Sequence, residues 1–190
     1  MLFTKAVLAE NERAIVRRDG TIIDLAGPGR HRWFDPFKRL HVETFDAGRV
    51  IMDAAWANRI MRNHPELAEG AFVMVRPDAD MLALVEVDGS PFAVVPHGST
   101  RAFWTVMHDV AVSTVDLAQA DRIEPRMAER WAAVAGTSIV HATVGTAAAG
   151  LLYVDGELRE RLDTGRHAFW AVDRRVQVEI VDLRETALDV

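Results

Sequence analysis

The chain has no cysteine, fewer basic than acidic residues (22 against 28) and no long hydrophobic run. Without cysteine, disulfide bonds and thiolate metal ligands are excluded. The net charge of −6 argues against a nucleic-acid partner, because proteins that bind phosphate backbones usually carry a clustered basic face. Residues 139–154, part of the uncharged stretch 131–154, are short for a membrane span, and we expect a buried hairpin arm there. Charged residues follow closely on the N-terminus and leave no room for a secretory signal, so we expect a cytoplasmic chain with no direct membrane span.

One pattern occurs three times along the chain. Each copy has an Asp-Gly pair, a second glycine nine residues later, an aromatic pair and a strand-like run that ends in aspartate. The Asp-Gly pairs are Asp19-Gly20, Asp88-Gly89 and Asp155-Gly156, and the second glycines are Gly29, Gly98 and Gly165. The aromatic pairs are Trp33-Phe34, Phe103-Trp104 and Phe169-Trp170, and the runs end at Asp46, Asp116 and Asp182. In the second copy one extra residue precedes the aromatic pair.

This repetition predicts three copies of one small supersecondary unit. An Asp-Gly pair favours a two-residue turn with positive φ at both positions, so each pair should lie at the tip of an antiparallel hairpin. We therefore predict an α+β, mainly β fold with three related small antiparallel β-units braced by two helical inserts. The predicted segments are β-repeat 1 (1–50), a helical insert (51–66), β-repeat 2 (70–118), a helical insert (121–136), β-repeat 3 (139–185) and a junction (186–190).

Two stretches between the copies have apolar residues at helical spacing. Residues 51–61 place Met52, Trp56, Ile60 and Met61 on one face, and residues 124–134 do the same with Met127, Trp131 and Val134. Pro125 suits the first turn of a helix. Such apolar stripes usually cover a sheet, so we expect both helices to brace the β-units.

Several segments resemble a known family. They are residues 11–20 (NERAIVRRDG), 27–33 (GPGRHRW), 150–156 (GLLYVDG), 165–170 (GRHAFW) and 178–184 (VEIVDLR). Together they are similar to the N-terminal β-repeat region of slipin-type proteins, members of the stomatin/prohibitin/flotillin (SPFH, band 7) superfamily. The second copy departs from this pattern, since residues 95–99 (VPHGS) replace the Pro-Gly-Arg-His run.

The resemblance implies a non-catalytic scaffolding module that acts through assembly or protein docking. Its partners would be the chain itself, a downstream SPFH domain or another protein, and it would be membrane-peripheral only through that downstream domain. The chain is then either a fragment of a longer protein or a shortened relative. Residues 1–190 alone should be monomeric or weakly dimeric. The alternative is a small-ligand-binding or enzymatic β-domain with a pocket between repeats.

The polar residues of the repeats favour structural roles over chemistry. His31 and His167 share one repeat position, where a turn histidine that bonds a backbone carbonyl is the simpler interpretation. Arg30 and Arg166 also match, and each is expected to donate to turn carbonyls or to the closing carboxylates Asp46 and Asp182. No second histidine follows at metal-ligand spacing, so we expect no metal. The sequence also has no phosphate-binding loop and no serine in a nucleophile elbow, so we expect no cofactor and no catalytic residue.

The tryptophans are distributed one to each predicted element. Trp33, Trp104 and Trp170 lie in the repeats, while Trp56 and Trp131 lie in the helical inserts. Large aromatic side chains dominate the cores of small domains. We therefore expect Trp33, Trp104 and Trp170 to be the packing anchors of the three repeats.

Overall fold

The computed structural model describes residues 2–118 and 122–184, and within them the chain is mainly β with two α-helices. The first strands are β1 Phe3–Leu8, β2 Glu12–Arg18, β3 Thr21–Ala26, β4 Gly29–Phe34, β5 Leu40–Asp46 and β6 Ile51–Met52. After helix α1 Ala54–Asn63 come β7 Phe72–Val75, β8 Met81–Val87, β9 Ser90–Pro96, β10 Arg101–Trp104, β11 Val110–Asp116 and β12 Arg122–Ile123. After helix α2 Pro125–Ala135 come β13 Ile139–Val144, β14 Ala148–Val154, β15 Glu157–Leu162, β16 Gly165–Trp170 and β17 Val176–Asp182.

The chain divides into two compact units. The first comprises residues 1–76, 87–89 and 100–111, and the second comprises residues 77–86, 90–99 and 112–190. The predicted repeat 2 therefore contributes residues to both units. The sequence does not indicate this division, because repeat 2 differs from its neighbours in spacing by a single residue.

The first unit holds three small antiparallel sheets. Their strand orders are β1-β4, β3-β2-β5 and β6-β10-β7. Helix α1 packs on the third sheet, where Ala57 and Ile60 join a core with Ala102 and Trp104. A smaller core lies under the first sheet and includes Leu8, Ala14, Val16, Ala26 and Leu40.

The second unit contains the sheets β12-β16-β13 and β15-β14-β17, together with residues 81–86, 90–96 and 112–116 of the sheet β11-β8-β9. Helix α2 packs against β16 and β13. Its Ala128, Trp131 and Ala135 are buried in one core with Ala168 and Trp170. On the other face of β16, Phe169 packs in a separate core with Leu152 and Leu162.

Both helices begin at an acidic N-cap residue. The Asp53 carboxylate accepts hydrogen bonds from the N–H groups of Ala55 and Trp56, and the Glu124 carboxylate accepts one from Met127. The second helix agrees with its predicted range. The predicted start of the first helix at Ile51 is wrong, because Ile51 and Met52 pair with β10 and the cap holds the helix start at Ala54.

The predicted hairpins have the expected two-residue turns. Arg18 pairs with Thr21 across Asp19-Gly20, and Val154 pairs with Glu157 across Asp155-Gly156. Residues 139–154 are not one hairpin arm as predicted. They form β13 and β14, which belong to different sheets because the chain turns at residues 145–147. Neither helix in the described part of the chain is long and apolar enough to cross a membrane.

Candidate docking surface

The Asp-Gly pairs lie at turns and adopt left-handed backbone conformations. The φ values are +50°, +51° and +53° at Asp19, Asp88 and Asp155, and +86°, +76° and +86° at Gly20, Gly89 and Gly156. Aspartate tolerates positive φ better than most residues, and glycine does so without a steric cost. These turns connect β2 to β3, β8 to β9 and β14 to β15.

The second glycines also have positive φ. Gly29 and Gly165 begin strands β4 and β16 with φ of +122° and +145°. Gly98 has φ of +72° in the connection between β9 and β10. The sequence thus identified these positions correctly as bends, although only Gly29 and Gly165 lead directly into a strand.

Two of the turn aspartates have a further role that the Asp-Gly turn signal does not indicate. The carboxylate oxygen Oδ1 of Asp88 accepts a hydrogen bond from the N–H of Asp109, and Oδ1 of Asp155 accepts one from the N–H of Arg175. The N–H of Asp88 in turn donates to the Asp109 carbonyl, and that of Asp155 to the Arg175 carbonyl. The hydrogen bonds from Asp109 N–H and from His108 lower the pKa of Asp88. Each aspartate therefore fastens its hairpin tip to the start of the closing strand.

In repeat 1 a different carboxylate, that of Asp35, binds the start of the closing strand β5. Asp35 is the one buried charged residue among those described. Its oxygens accept hydrogen bonds from Thr4 Oγ1 at 2.8 Å, from Arg39 N–H at 2.8 Å and from Leu40 N–H at 3.2 Å. Burial opposes ionisation of this group, but the hydrogen bonds outweigh it and the pKa of Asp35 is lowered.

These pKa shifts predict acid sensitivity. A carboxyl whose pKa is depressed by folding stabilises the native state fully above its unfolded pKa of about 3.9, and this contribution is lost as the pH falls through the folded value. We expect the free energy of unfolding to decrease as the pH falls from about 5 to about 3, and to decrease less in Asp35→Asn and Asp88→Asn. Urea unfolding across this range checks the slope. The exposed control Glu157→Gln should follow the wild type, and an unchanged slope in both aspartate variants would refute the assignment.

The aspartates that close the strand runs make the same turn three times. Oδ1 of Asp46, Asp116 and Asp182 accepts, at 2.9 Å in each case, the N–H two residues later. The N–H of the residue after each aspartate donates to a backbone carbonyl, that of the residue immediately before β2, β8 or β14. These three donors are Ala47, Leu117 and Leu183. These aspartates are thus occupied by the local turn. Asp182 is not the partner of Arg166 as proposed from the sequence, because the Arg166 guanidinium pairs with Glu129 of α2.

The turn histidines bond carbonyls as the sequence predicts. Nε2 of His31 lies 2.7 Å from the Gly27 carbonyl oxygen, and Nε2 of His167 lies 2.8 Å from that of Asp163. His31 also stacks on Trp33 with 5.3 Å between ring centroids. Within the described ranges no three His, Asp or Glu side chains converge on a common point.

The three proposed packing anchors are not equivalent. Trp104 and Trp170 are each 1% exposed and face the helix-covered cores. Trp33 is half-buried and packs on the opposite side, against Leu8 and its neighbours. The aromatic order is reversed in the first copy, so Phe34, and not Trp33, occupies the strand position of the two buried tryptophans. Phe34 is 59% exposed.

The strand that carries Phe34 has one open edge. Strand β10 pairs with β7 on one side and β6 on the other, and β16 pairs likewise with β13 and β12. In the described part of the chain β4 pairs with β1 alone. Asp35 N–H donates to the Leu2 carbonyl on the β1 side, and successive amides of a strand point in opposite directions. The N–H groups of Phe34 and Arg32 therefore point to the open edge.

The sheet next to this edge has an exposed face that we call the β1–β4 face. It consists of the alternating residues Phe3, Lys5, Val7, Arg30, Arg32 and Phe34. Val7 is 73% exposed, and Phe3 and Phe34 form an edge-to-face pair with ring centroids 5.6 Å apart. The Arg32 guanidinium lies over the Phe3 ring, 3.6 Å from its centroid.

All charged residues of the β1–β4 face are basic. Lys5 lies directly opposite Arg32, and Val7 lies opposite Arg30, so three cations and no acid occupy the six positions. Like charges directly across a strand pair repel each other. Lys5, Arg30 and Arg32 thus form a basic patch beside the exposed ring of Phe34, on a chain of net charge −6. The repeat alignment indicates this difference, because Arg32 occupies the position of Ala102 and Ala168, which are buried in the structure.

The second unit contains an open polar pocket of about 260 Å³. Its charged and polar lining residues are Asp80, His97, Asp155, Arg159, Asp173 and Arg174. Many of these groups are paired within the chain. His97 Nδ1 lies 3.0 Å from Asp173 Oδ2, and Arg174 donates to the Leu117 carbonyl at 2.6 Å.

Comparison with known proteins gives no further guide to the role of these surfaces: no family model, no curated protein and no solved structure matches the chain.

Proposed function

We propose that the chain is a non-catalytic scaffolding module made of three related β-units, and that it acts through assembly or protein docking at the β1–β4 face. The observation that carries this proposal is the open edge of β4 beside an exposed aromatic and basic face. Exposed sheet edges accept a further strand from a partner, because their N–H and C=O groups lack a ladder. Exposed apolar patches next to such an edge favour the same use.

Recurring strand orders support the three related units. The orders β3-β2-β5, β9-β8-β11 and β15-β14-β17 use the same relative chain positions, and so do the pairs β1-β4, β7-β10 and β13-β16. The chain also shifts register at matching places, between Val16 and Arg17 and between Leu152 and Tyr153. The recurring turn at Asp46, Asp116 and Asp182 is a third correspondence.

The family proposal rests on the sequence motifs alone. On that basis the chain is a module of a slipin-like SPFH protein, with itself, a downstream SPFH domain or another protein as partner. The edge of β4 is the place where such a partner would dock. This assignment makes no use of a catalytic residue or a cofactor.

The alternative is a small-ligand or enzymatic domain that uses the pocket of the second unit. The observation in its favour is that the pocket lies between segments of repeats 2 and 3, as that alternative expects. Docking is the stronger proposal for a physical reason. Most polar groups of the pocket already have partners within the chain, whereas the N–H groups of Arg32 and Phe34 point away from β1, where the Phe34 carbonyl accepts a hydrogen bond from Arg18 at 3.2 Å.

Sedimentation velocity over a range from micromolar to millimolar protein tests the docking function. We expect weak, reversible self-association that falls in Arg32→Glu, since the reversed charge repels an acidic partner. The matched control is Arg161→Glu, an exposed arginine on edge strand β15, which should behave as the wild type. A chain that stays monomeric at millimolar concentration, with no difference among the three proteins, would contradict assembly through this face.

A further inference from the structure

Strand β17 gives the second unit an acidic strand edge. It lies at the edge of the sheet β15-β14-β17 and pairs with β14 alone in the described part of the chain. It carries the exposed Glu179 and contains no basic residue. Each of the other described edge strands in this unit either contains an arginine or has no exposed acid. The edge of β17 is therefore the charge complement of the basic β1–β4 face.

Alternate backbone groups of β17 point to its free edge. Leu183 N–H donates to the Ala147 carbonyl on the β14 side, and β17 pairs with β14 without a register shift. Successive amides of a strand point in opposite directions. The N–H and C=O groups of Val178 and Ile180 therefore point away from β14.

The solvent-facing side chains of β17 belong to the other set of residues. Val176 and Val178 pack on a buried core of the second unit. Side chains alternate along a strand, so the opposite side of β17 holds Gln177, Glu179 and Val181. These three residues direct their N–H groups to β14. On the β1–β4 face, by contrast, the residues of β4 direct their N–H groups to the open edge.

This difference determines how the two edges can pair. In an antiparallel pair, two residues that lie directly opposite each other both direct their N–H groups to the partner strand or both direct them away. In a parallel pair, a residue that directs its N–H to the partner strand lies beside one that directs its N–H away. Parallel pairing therefore places the β1–β4 face and the solvent-facing side of β17 on the same side of a joint sheet, and antiparallel pairing does not.

We infer that the open edge of β4 pairs in parallel with β17 of a second copy of this chain. In this register Arg32 lies beside Glu179, so a cation and a carboxylate meet on the solvent-facing side. The carboxylate also offsets the repulsion between Arg32 and Lys5, which lie directly opposite each other. Phe34 lies beside Val181, which gives the exposed ring an apolar neighbour. The inference rests on the proposed docking function and names its partner surface.

The same register supplies acceptors for the N–H groups of the open edge. Arg32 N–H donates to the Val178 carbonyl of the second copy, and Phe34 N–H donates to the Ile180 carbonyl. The Phe34 carbonyl accepts a hydrogen bond from Arg18 of its own chain at 3.2 Å. The ladder between the two copies therefore ends at Phe34.

The chain supplies both strands of this contact, and in the described residues neither strand is paired with the other. The contact is heterologous, because the two copies contribute different surfaces. It propagates head to tail unless the rotation between copies closes a ring. A short strand pair with one ion pair buries little area, so we expect a weak association that decreases as the salt concentration rises.

Disulfide trapping between single-cysteine chains tests the register. The chain has no native cysteine, so each substitution introduces the only thiol. The parallel register places Phe34 beside Val181, whereas an antiparallel pair with Arg32 opposite Glu179 would place Phe34 beside Gln177. Neighbouring strands lie about 4.8 Å apart, which is within disulfide range. We expect the mixed dimer of Phe34→Cys and Val181→Cys to form at least about tenfold faster than that of Phe34→Cys and Gln177→Cys. Each rate is divided by the rate at which the Val181→Cys or Gln177→Cys thiol reacts with oxidised glutathione.

Charge exchange tests the ion pair by sedimentation velocity. Arg32→Glu and Glu179→Arg should each raise the dissociation constant of self-association at least about fivefold, because each places like charges side by side. An equal mixture of the two variants should associate as the wild type does, since each variant meets its complement in the other. Recovery in the mixture also shows that both variants are folded. The matched control is Glu157→Arg, an exposed acid on edge strand β15, which should behave as the wild type.

The outcomes separate this inference from the docking function. Equal trapping rates for the two cysteine mixtures, or no recovery in the mixture of charge variants, would overturn the inference. A cross-linked monomer from a chain with both Phe34→Cys and Val181→Cys would also overturn it, because β17 would then pair with β4 of its own chain. If Arg32→Glu reduces self-association and Glu179→Arg does not, the face docks a different surface and the docking function stands. If neither variant changes self-association, the docking function fails as well.

Discussion

Replacing Trp170 with alanine is expected to lower the free energy of unfolding by about 3–5 kcal/mol. Trp170 is the last residue of β16. Its side chain is 1% exposed and lies in one core with Ala168 and with Trp131 of helix α2. Truncation would leave a large cavity that the surrounding strands cannot fill, because both neighbours of β16 fix its position. Trp104→Ala should have a similar effect in the first unit. Urea unfolding monitored by far-ultraviolet circular dichroism checks both.

The matched control is Phe34→Ala at the corresponding strand position. Phe34 is 59% exposed, so its removal should change the unfolding free energy by less than about 1 kcal/mol. A loss as large as that of Trp170→Ala would mean that the β1–β4 face is covered in the isolated chain. That result would remove the basis for docking at this face.

Valine in place of Gly29 or Gly165 is expected to lower the unfolding free energy by about 1–3 kcal/mol. Both glycines have a positive φ that β-branched residues rarely adopt. No atom lies within 4 Å of a Cβ built at Gly29, and the nearest at Gly165 is 3.9 Å away. The cost would therefore come from backbone strain and not from a steric clash. Thermal melts of the two variants measure it.

Gly27→Val is the control for this strain. Gly27 lies two residues before Gly29, has no positive φ and also has open space at its Cβ position. We expect its substitution to cost less than that of Gly29. Equal losses for Gly27→Val and Gly29→Val would show that side-chain bulk, and not φ, determines the effect.

The hairpins were predictable because their determinants are local. An Asp-Gly pair specifies its own turn, and the flanking alternation sets the two arms. The helix in residues 125–135 was predictable for the same reason, because its determinants lie within the helix itself: Pro125 in the first turn and the spacing of the apolar residues. The start of the first helix was not, because Ile51 and Met52 suit a helix by spacing but pair with β10, which lies about fifty residues later. Long-range pairing here overrides local periodicity.

The exposed β1–β4 face is not predictable from local sequence, because it depends on β4 having a single neighbouring strand among the described residues. By residue type, Trp33 matches Trp104 and Trp170 as a packing anchor. Strand alternation instead places Phe34 with those tryptophans, and Phe34 is exposed on a strand that pairs with β1 alone in the described ranges. Likewise, the hydrogen bonds of Asp35 join β1, β4 and β5, and no spacing along the chain indicates them.

Amide hydrogen exchange at Phe34 and Trp104 measures whether the edge of β4 is open in solution. Trp104 N–H is bonded to the Val50 carbonyl, while the Phe34 N–H at the matching position faces the open edge. In dilute solution we predict strong protection at Trp104 and fast exchange at Phe34. At millimolar concentration Phe34 should gain protection in the wild type but not in Arg32→Glu, in which self-association is expected to be weaker. Protection of Phe34 equal to that of Trp104 at every dilution would show that the edge of β4 is closed within one chain.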